Sequence, residues 1–411
     1  MTRREALLER FFRYVAIESQ SDARSDKLPS SSGQSKLAAL LADELRELGV
    51  AEVALNEQAI VTGIKRGKKR NQPKIGFIAH LDTVDVGLSP HILPQVLHFT
   101  GADLCLNSER DIWLRVADHP EIWPWTGHDV VFSDGTSVLG ADNKAAISVI
   151  MTLLSHLEGK EDTHGDIHVA FVPDEEIGLR GAHALDLERF ACDFAYTIDC
   201  CQLGELMLEN FNAAAGEIVF RGVSAHPMSA KGILVNPLLM AFDFVAEFDR
   251  RDTPEHTHDR QGFFWFKELR ANDSEAHLDM IIRDFDDRAF ERRKEKIEAV
   301  AEGLRARYPR GHVEARVANT YRNIASTLKD DPRAEALLFR AFEQVGVTPK
   351  PISMRGGTDG AALSARGIPT PNFFTGALNF HSRFEFLPVA AFEKSLEVAM
   401  AICTLAGKPP P

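Results

Sequence analysis

The chain has 411 residues, which is too long for one ordinary domain, so its length predicts two domains. Hydrophobic residues make up 44% of it and charged residues 26%, a globular balance that excludes wholesale disorder. The formal net charge of -13 argues against nucleic acid and anionic membrane as partners. No signal peptide or membrane span is expected, and the five cysteines form no Cys-x-x-Cys pair. Taken together, these features predict a cytoplasmic protein.

The first half of the chain alternates helices with short apolar strands. Helices are predicted at 4–17, 35–48, 142–156 and 181–190. Strands are predicted at 53–55, 59–61, 74–80, 166–172 and 194–198. Ser32 is the expected N-cap of the second helix. The segment 86–135 is long and is expected to be irregular. The alternation predicts an α/β domain with a mainly parallel sheet.

The pattern changes after about residue 213. Two segments alternate like half-exposed strands and two read as amphipathic helices: 215–222, 280–286, 236–250 and 287–306. The α/β character returns at about 325, with helices at 331–346 and 389–406. We therefore predict an α/β domain in two parts, 1–213 and 325–411, with an α+β domain inserted at 214–324.

Acidic and histidine side chains lie where three of the predicted strands end. His80 and Asp82 follow the first of these strands, Glu175 and Glu176 the second, and Asp199 the third. The carboxyl ends of parallel strands meet at one edge of a sheet, where ligands commonly bind. An acid two residues after a histidine can fix the imidazole ring while that ring ligates a metal.

Two further side chains complete a candidate metal site. Asp142 is expected at a helix N-terminus, where a carboxylate is favoured, and His381 lies near the end of the chain. Histidine and carboxylate donors suit Zn²⁺, or Mn²⁺ and Co²⁺, and this many donors fit two ions that share one carboxylate. Neighbours in an extended backbone point to opposite sides, so one of Glu175 and Glu176 can ligate while the other acts as a base.

Each of these side chains also has an ordinary structural interpretation. A histidine such as His80 commonly serves a structural role at a strand end. Asp142 can be only a helix cap and Asp199 only a turn residue, while adjacent glutamates usually form a solvated acidic turn. On the residues alone, these interpretations stay open beside the metal site.

Eight short sequence motifs are spread along nearly the whole chain, and the order in which they follow one another is informative. They are GFIAHLDT at 76–83, LGAD at 139–142, FVPDEE at 171–176, ID at 198–199, AHP at 225–227, IIRDFD at 281–286, RGGTDG at 355–360 and NFH at 379–381. This series resembles the M20 metallopeptidase family. The resemblance implies a zinc-peptidase-like catalytic domain with an inserted lid domain.

The resemblance also implies a ligand set. Asp142 would bridge two Zn²⁺ ions in each subunit, with Co²⁺ or Mn²⁺ able to substitute. His80 and Asp199 would complete one metal shell, and Glu176 and His381 would complete the other.

The remaining roles follow from the same resemblance. Glu175 would be the general base, Asp82 would orient a ligand histidine, and His226 would stabilise the oxyanion. Arg283 and Arg355 would bind polar groups of the substrate, since a guanidinium fork suits the terminal carboxylate of a peptide.

The activity implied is an aminopeptidase that acts on short peptides, with tripeptides preferred. The expected partners are a short-peptide substrate and, as an option, a second copy of the chain. The alternatives are another M20-type hydrolase, such as a dipeptidase, a carboxypeptidase or an N-acyl amino acid deacylase, and a peptide-binding protein without catalysis. The contacts of Arg283, Arg355 and the 86–135 segment would separate the enzyme activities.

Overall fold

The structure is a computed structural model, and it describes residues 2–406. The chain forms two compact units. The first runs to Leu208 and continues at Ile324–Ile352 and from Thr358 onward; the second comprises Glu209–Asn323 and Ser353–Gly357. Residues 407–411, the end of the predicted 325–411 segment, lie outside the described residues.

The second unit differs from the predicted insertion at 214–324 in two respects. It begins five residues earlier, at Glu209 rather than at residue 214, and it also takes in Ser353–Gly357. Arg355, which the sequence placed in the second part of the catalytic domain, is therefore part of the second unit.

The described residues form ten α-helices and seventeen β-strands. The helices are α1 (Arg3–Val15), α2 (Ser32–Glu47), α3 (Ala141–His156), α4 (Arg180–Ala184), α5 (Pro237–Ala246), α6 (Asp287–Arg307), α7 (Ala325–Asp330), α8 (Arg333–Gln344), α9 (Asp359–Ala365) and α10 (Val389–Leu405). The strands are β1 (Ala51–Leu55), β2 (Val61–Lys65), β3 (Ile75–His80), β4 (Pro94–Phe99), β5 (Leu104–Asn107), β6 (Ile112–Leu114), β7 (His128–Ser133), β8 (Ile167–Val172), β9 (Phe194–Cys200), β10 (Glu205–Asn210), β11 (Asn212–Arg221), β12 (Phe263–Ala271), β13 (Glu275–Asp284), β14 (His312–Tyr321), β15 (Lys350–Met354), β16 (Asn372–Phe374) and β17 (Phe386–Pro388).

An eight-stranded sheet, in the order β1-β2-β8-β3-β9-β16-β10-β15, organises the first unit. Its central strands β8, β3, β9 and β16 run parallel, while β1 pairs antiparallel with β2, β2 with β8, and β10 with β16. Every residue of β3 and β8 is buried, and helices α3 and α9 contact β3. Near-continuous apolar strands of this kind are typical of a parallel sheet covered by helices. The predicted α/β class is confirmed.

Three local predictions need correction. The N-cap of α2 is Ser31, so Ser32 is already the first helical residue. Helix α4 ends at Ala184 rather than near residue 190, because the next residue is extended. Asp142 and Asn143 lie within the first turn of α3 but have non-helical backbone angles, so regular helix begins after them.

The prediction that residues 86–135 are irregular is wrong. The segment contains β4 to β7: β4 and β7 form a three-stranded sheet with β17, and β5 and β6 form a hairpin. These strands pack around a small buried cluster of Phe99, Leu106, Leu114, Val116, Ile122, Val130, Phe132, Leu378 and Phe386. The strands have six residues or fewer, and β5–β6 carries a register shift, which explains why no clear periodicity marks them.

The second unit is an α+β structure. Its four-stranded antiparallel sheet has the order β12-β13-β11-β14, and both α5 and α6 pack against it. Ten-residue β11 pairs with β13 and with β14, one on each side, and its apolar residues face a separate core. The two ends of the unit are held together, since the Asn210 amide donates to Asn323 Oδ1 (3.2 Å) and the Asn323 amide donates to Asn212 Oδ1 (3.0 Å).

Candidate metal centre

Four of the predicted site residues lie at one edge of the large sheet. Strands β8, β3 and β9 are parallel neighbours, so their carboxyl ends lie side by side. His80 ends β3, Asp199 is the penultimate residue of β9, and Glu175 and Glu176 lie in the turn after β8. The alternation of apolar strand and polar strand end therefore predicted this placement correctly.

His80, Asp142 and Glu176 form a cluster in which donor atoms lie within 4.8 Å of one another. His80 Nε2 is 2.9 Å from Asp142 Oδ1. His381 Nε2 is 3.2 Å from Asp142 Oδ2 and 2.9 Å from Glu176 Oε1. Each oxygen of Asp142 thus faces a different histidine, which is the arrangement that a carboxylate shared between two ions needs.

Asp199 adds a third carboxylate beside this cluster. Its Oδ1 accepts a hydrogen bond from Asn143 Nδ2 (2.7 Å), whose amide also donates to the carbonyl of Ile198 (2.9 Å). Burial and the neighbouring charge of Asp142 raise the pKa of Asp199 well above its ordinary value. Close-set buried carboxylates of this kind are stabilised by cations, so the donor set fits a pair of divalent metal ions.

The two candidate ligand histidines, His80 and His381, lie in a strongly anionic environment. Hydrogen bonds with Asp142 and Glu176 raise the pKa of His381 to about 10. Burial lowers the pKa of His80, but hydrogen bonds and charges from Asp142 and Asp82 outweigh this effect. The pKa of His80 therefore lies well above its ordinary value. A site that favours positive charge on both imidazoles also favours metal cations beside them.

Asp82 holds His80 on the side away from Asp142. The Nδ1 atom of His80 lies 3.1 Å from the carbonyl oxygen of Asp82 and 3.3 Å from its Oδ1. The same carboxylate accepts hydrogen bonds from the amides of Glu175 (3.0 Å) and Glu176 (3.2 Å). Burial raises the pKa of Asp82, but His80 and the Glu175 amide outweigh it, and the pKa lies below its ordinary value. Asp82 therefore ties the β3 end to the acidic turn after β8.

We expect Asp82→Asn to weaken metal binding by roughly 10–100-fold, because the partners that orient a ligand histidine typically contribute that much. An asparagine at this position can accept at one oxygen only, so one of the two amides at 175 and 176 loses its partner. Competition titration with a chromophoric chelator would measure the change. Asp85→Asn is the matched control, since Asp85 is exposed and lies three residues further on. Equal metal affinity in the two variants would contradict the orienting role.

Glu175 lies next to the donor cluster. Burial raises the pKa of its carboxyl well above the ordinary value, and the charges of Glu176, Asp199 and Asp359 raise it further, against a lowering by His80. A carboxyl group whose pKa is shifted upward can both take up and return a proton near neutral pH.

Sequence reasoning missed two charged residues at the site, Lys144 and Glu385. Both are fully buried, with at most 1% of their surface exposed. Burial lowers the pKa of Lys144 to about 8, against the charges of four acids that include Asp82 and Asp142. Its Nζ has no hydrogen-bond partner among the described residues, so it acts as a buried positive charge behind the acidic cluster. The available signal was a charged residue in an apolar run, as in the residues that follow Asp142.

The 86–135 segment also contributes to the site. Glu121 Oε1 accepts a hydrogen bond of 2.5 Å from Asn379 Nδ2, two residues before His381. The His119 ring contacts the Phe384 ring, with 4.6 Å between the centroids. This segment therefore supports the loop that carries His381, a role that its sequence did not indicate.

Three predicted residues belong to the second unit and are described within it. His226 Nδ1 accepts from the amide of Met228 (3.2 Å), and His226 lines a cavity of about 630 Å³ in that unit. Arg283 donates to the carbonyl of Ile282 (3.0 Å) and lies over the ring of Tyr321. The second unit thus contains both an exposed histidine and a partly buried guanidinium.

Arg355 is held by its own unit through three acceptors. Its guanidinium donates to the carbonyls of Asp259 (2.9 Å) and Gln261 (3.0 Å) and to Thr257 Oγ1 (2.9 Å). It also lies over the rings of Phe211 and Phe263, 5.1 and 5.3 Å from their centroids. These contacts give Arg355 a role in holding the 257–261 loop, and its predicted contact with substrate stays a prediction.

The fold and the donor set are those of a metal-dependent hydrolase. The sequence profile of Peptidase family M20/M25/M40 matches residues 118–404, and the chain belongs to this family. It is 66% identical to a Peptidase T-like protein of Rhizobium meliloti (strain 1021), over 98% of this chain and 99% of that protein. It is 40% identical to Peptidase T of Caldanaerobacter subterraneus subsp. tengcongensis, over 98% of this chain and 99% of that protein. The crystal structure of aminopeptidase PepT from Bacillus cereus ATCC 10987 superimposes with a TM-score of 0.76 at 22% identity, covering 98% of this chain and 99% of that one.

Proposed function

We propose that this protein is a metal-dependent aminopeptidase that releases the N-terminal residue from short peptides, with tripeptides as the preferred substrates. The observation that carries the proposal is the position of Asp142, whose two oxygens face His80 and His381 separately. The likeness to Peptidase T over nearly the full chain supports the choice of substrate class. The cytoplasmic location and the pairing of two copies stay predictions.

The proposed ligand set places His80 and Asp199 on one ion and Glu176 and His381 on the other, with Asp142 shared. We propose Zn²⁺ as the metal, two ions per subunit, with Co²⁺ or Mn²⁺ able to substitute, since histidine and carboxylate donors suit all three. When bound, such a pair lowers the pKa of a coordinated water and stabilises developing negative charge on the peptide carbonyl.

Different residues of the chain transfer the proton, orient the His80 ring and stabilise the negative charge. Glu175 takes a proton from the attacking water and returns it to the leaving amine, as its raised pKa allows. Asp82 keeps the His80 ring in its ligating orientation. We assign His226 as the donor that stabilises the oxyanion, and Arg283 and Arg355 as the groups that bind substrate carboxylate, with the second unit acting as a lid.

A panel of alanine peptides tests the proposed activity. With added Zn²⁺, Mn²⁺ or Co²⁺, Ala-Ala-Ala should be the best substrate, ahead of Ala-Ala and Ala-Ala-Ala-Ala. N-acetylation of Ala-Ala-Ala should lower kcat/KM by roughly 100-fold or more, because a blocked amine can no longer pair with polar groups built to bind it. Release of free alanine would be followed by chromatography.

Each departure from this pattern points to a different activity. Equal cleavage of the N-acetylated peptide would overturn the aminopeptidase assignment. Preferred cleavage of Ala-Ala would indicate a dipeptidase, and deacylation of N-acetylalanine would indicate a deacylase. Absence of all turnover in protein that carries two ions would indicate a binding protein.

A further inference from the structure

The loop that carries His381 is closed at its base and carries a second acidic residue. Leu378 and Phe386 pair through two backbone hydrogen bonds of 2.9 and 3.1 Å, which join the two ends of the loop. Asn379 and His381 both have positive φ angles, of 59° and 61°. Glu385 follows His381 by four residues, so one short closed loop presents both side chains.

Glu385 reaches from this loop to the segment that carries Asp142. Its Oε2 accepts hydrogen bonds from the amides of Leu139 (2.7 Å) and Gly140 (2.8 Å). Its Oε1 accepts from the amide of Asp142 itself (3.2 Å). The side chain is 1% exposed, so three amides and one carboxylate satisfy each other out of contact with water.

The loop is also anchored at its other end. Asn379 Nδ2 donates to Glu121 Oε1 (2.5 Å) and to the carbonyl of Phe384 (3.4 Å). Two carboxylates therefore hold the loop in place. Glu121 binds its start through Asn379, and Glu385 connects its end to the 139–142 segment. A loop held at both ends cannot move toward or away from Asp142 without breaking buried hydrogen bonds.

We propose that Glu385 is a positioning residue for the metal centre. It lies on the loop that carries His381 and accepts a hydrogen bond from the Asp142 amide, and it thereby sets the distance between the shared carboxylate and the His381 ligand. The proposal rests on the metal centre proposed above. Glu385 itself acts only through the backbone of the 139–142 segment and is not assigned as a ligand.

The isosteric variant Glu385→Gln separates this role from a general contribution to folding. A glutamine can keep its carbonyl oxygen at the Oε2 position, which preserves the bonds from the Leu139 and Gly140 amides. Its NH₂ group then faces the amide of Asp142, where a donor meets a donor. The variant thus breaks the one contact that involves the candidate bridging residue and leaves the other two in place.

We expect Glu385→Gln to lower metal affinity by roughly 10–100-fold, as for other groups that orient metal ligands. Competition titration with a chromophoric chelator measures this change, and the visible absorption of the Co²⁺-loaded protein should change in position or intensity. Neither readout requires peptide turnover, so failure of the aminopeptidase proposal and failure of this proposal are distinguishable. The melting temperature of the chelator-treated protein, measured in parallel, reports on folding alone.

Asp166→Asn is the matched control, since Asp166 is a partly buried carboxylate that accepts from the Gly67 amide (3.1 Å) away from the site. Metal affinity and the Co²⁺ spectrum should be unchanged in it. If Glu385→Gln also keeps both at wild-type values, the positioning role is overturned. If Glu385→Gln does not fold, Glu385→Asp, which keeps the charge but shortens the reach, takes its place and should show the same loss of affinity. If neither variant folds, Glu385 serves the fold and the proposal is overturned.

Discussion

Glu175→Gln is expected to lower kcat for Ala-Ala-Ala by about 10²–10⁴-fold, the usual contribution of general acid–base catalysis, while both metal ions stay bound. Glutamine has the size of glutamate but cannot accept a proton from water or return one to the leaving amine. The pKa of Glu175 is raised first by burial and then by the neighbouring acids Glu176, Asp199 and Asp359, which suits a group that exchanges protons during turnover. We do not expect KM to change by a similar factor, because a general base acts on the reacting atoms rather than on substrate binding.

Steady-state kinetics and elemental analysis on the same preparation would check this result. Glu188→Gln is the control, since Glu188 is an exposed glutamate outside the centre. A Glu175→Gln protein that retained about a tenth or more of the wild-type kcat would show that another group is the base. A protein that lost its metal would show instead that Glu175 is a ligand.

Asp142→Ala is expected to remove both ions and to lower kcat by at least about 10³-fold, because a two-ion site depends on the carboxylate that its ions share. His381→Ala is expected to remove only one ion, since His381 lies against Glu176 and one oxygen of Asp142 and its nearest contacts do not include His80. The two variants therefore predict a graded loss, from two ions per chain to one and then to none.

Metal content per chain after refilling and desalting measures this series directly. Asp134→Ala provides the control, because Asp134 caps a turn through the amide of Thr136 (2.9 Å) shortly before α3. If Asp142→Ala kept two ions, Asp142 would not be the shared ligand. A wild-type content near one ion would contradict the two-ion arrangement itself.

The sequence was most informative where local pattern and chemistry coincide. The apolar run that ends in His80 and the run before Glu175 each predicted a buried strand with polar groups at its carboxyl end, and the parallel pairing of β3 with β8 brings these ends together. The α+β character of the inserted segment was also indicated, because β13 alternates in burial along its whole length as half-covered strands do, whereas β11 alternates only in its middle.

What the sequence did not reveal depends on contacts between distant parts of the chain. Glu385 lies 243 residues from Asp142, and no local pattern shows that its carboxylate accepts the Asp142 amide. Lys144 stands beside an apolar run, but the sequence does not show that it is completely buried. Glu121 lies in a segment whose strands are too short to give a periodic signal, so its contact with Asn379 was hidden as well.

Arg355 illustrates a different limit. Its glycine-rich context resembled a substrate-binding motif, and the structure shows that the guanidinium holds the backbone of the 257–261 loop. A motif fixes which residue is present, whereas the acceptors that a guanidinium finds depend on how the chain folds around it. The same side chain can serve both purposes only if substrate binding displaces or extends these contacts.

The asparagine contacts at the ends of the second unit bear on how such a chain could have arisen. Asn210 and Asn212 meet Asn323 at one place, so a segment of more than one hundred residues begins and ends within hydrogen-bonding distance. Domain insertion is tolerated where the ends of the inserted piece lie close together. The closely spaced ends of this segment therefore meet the condition under which a whole domain is inserted without separating the chain on either side of it.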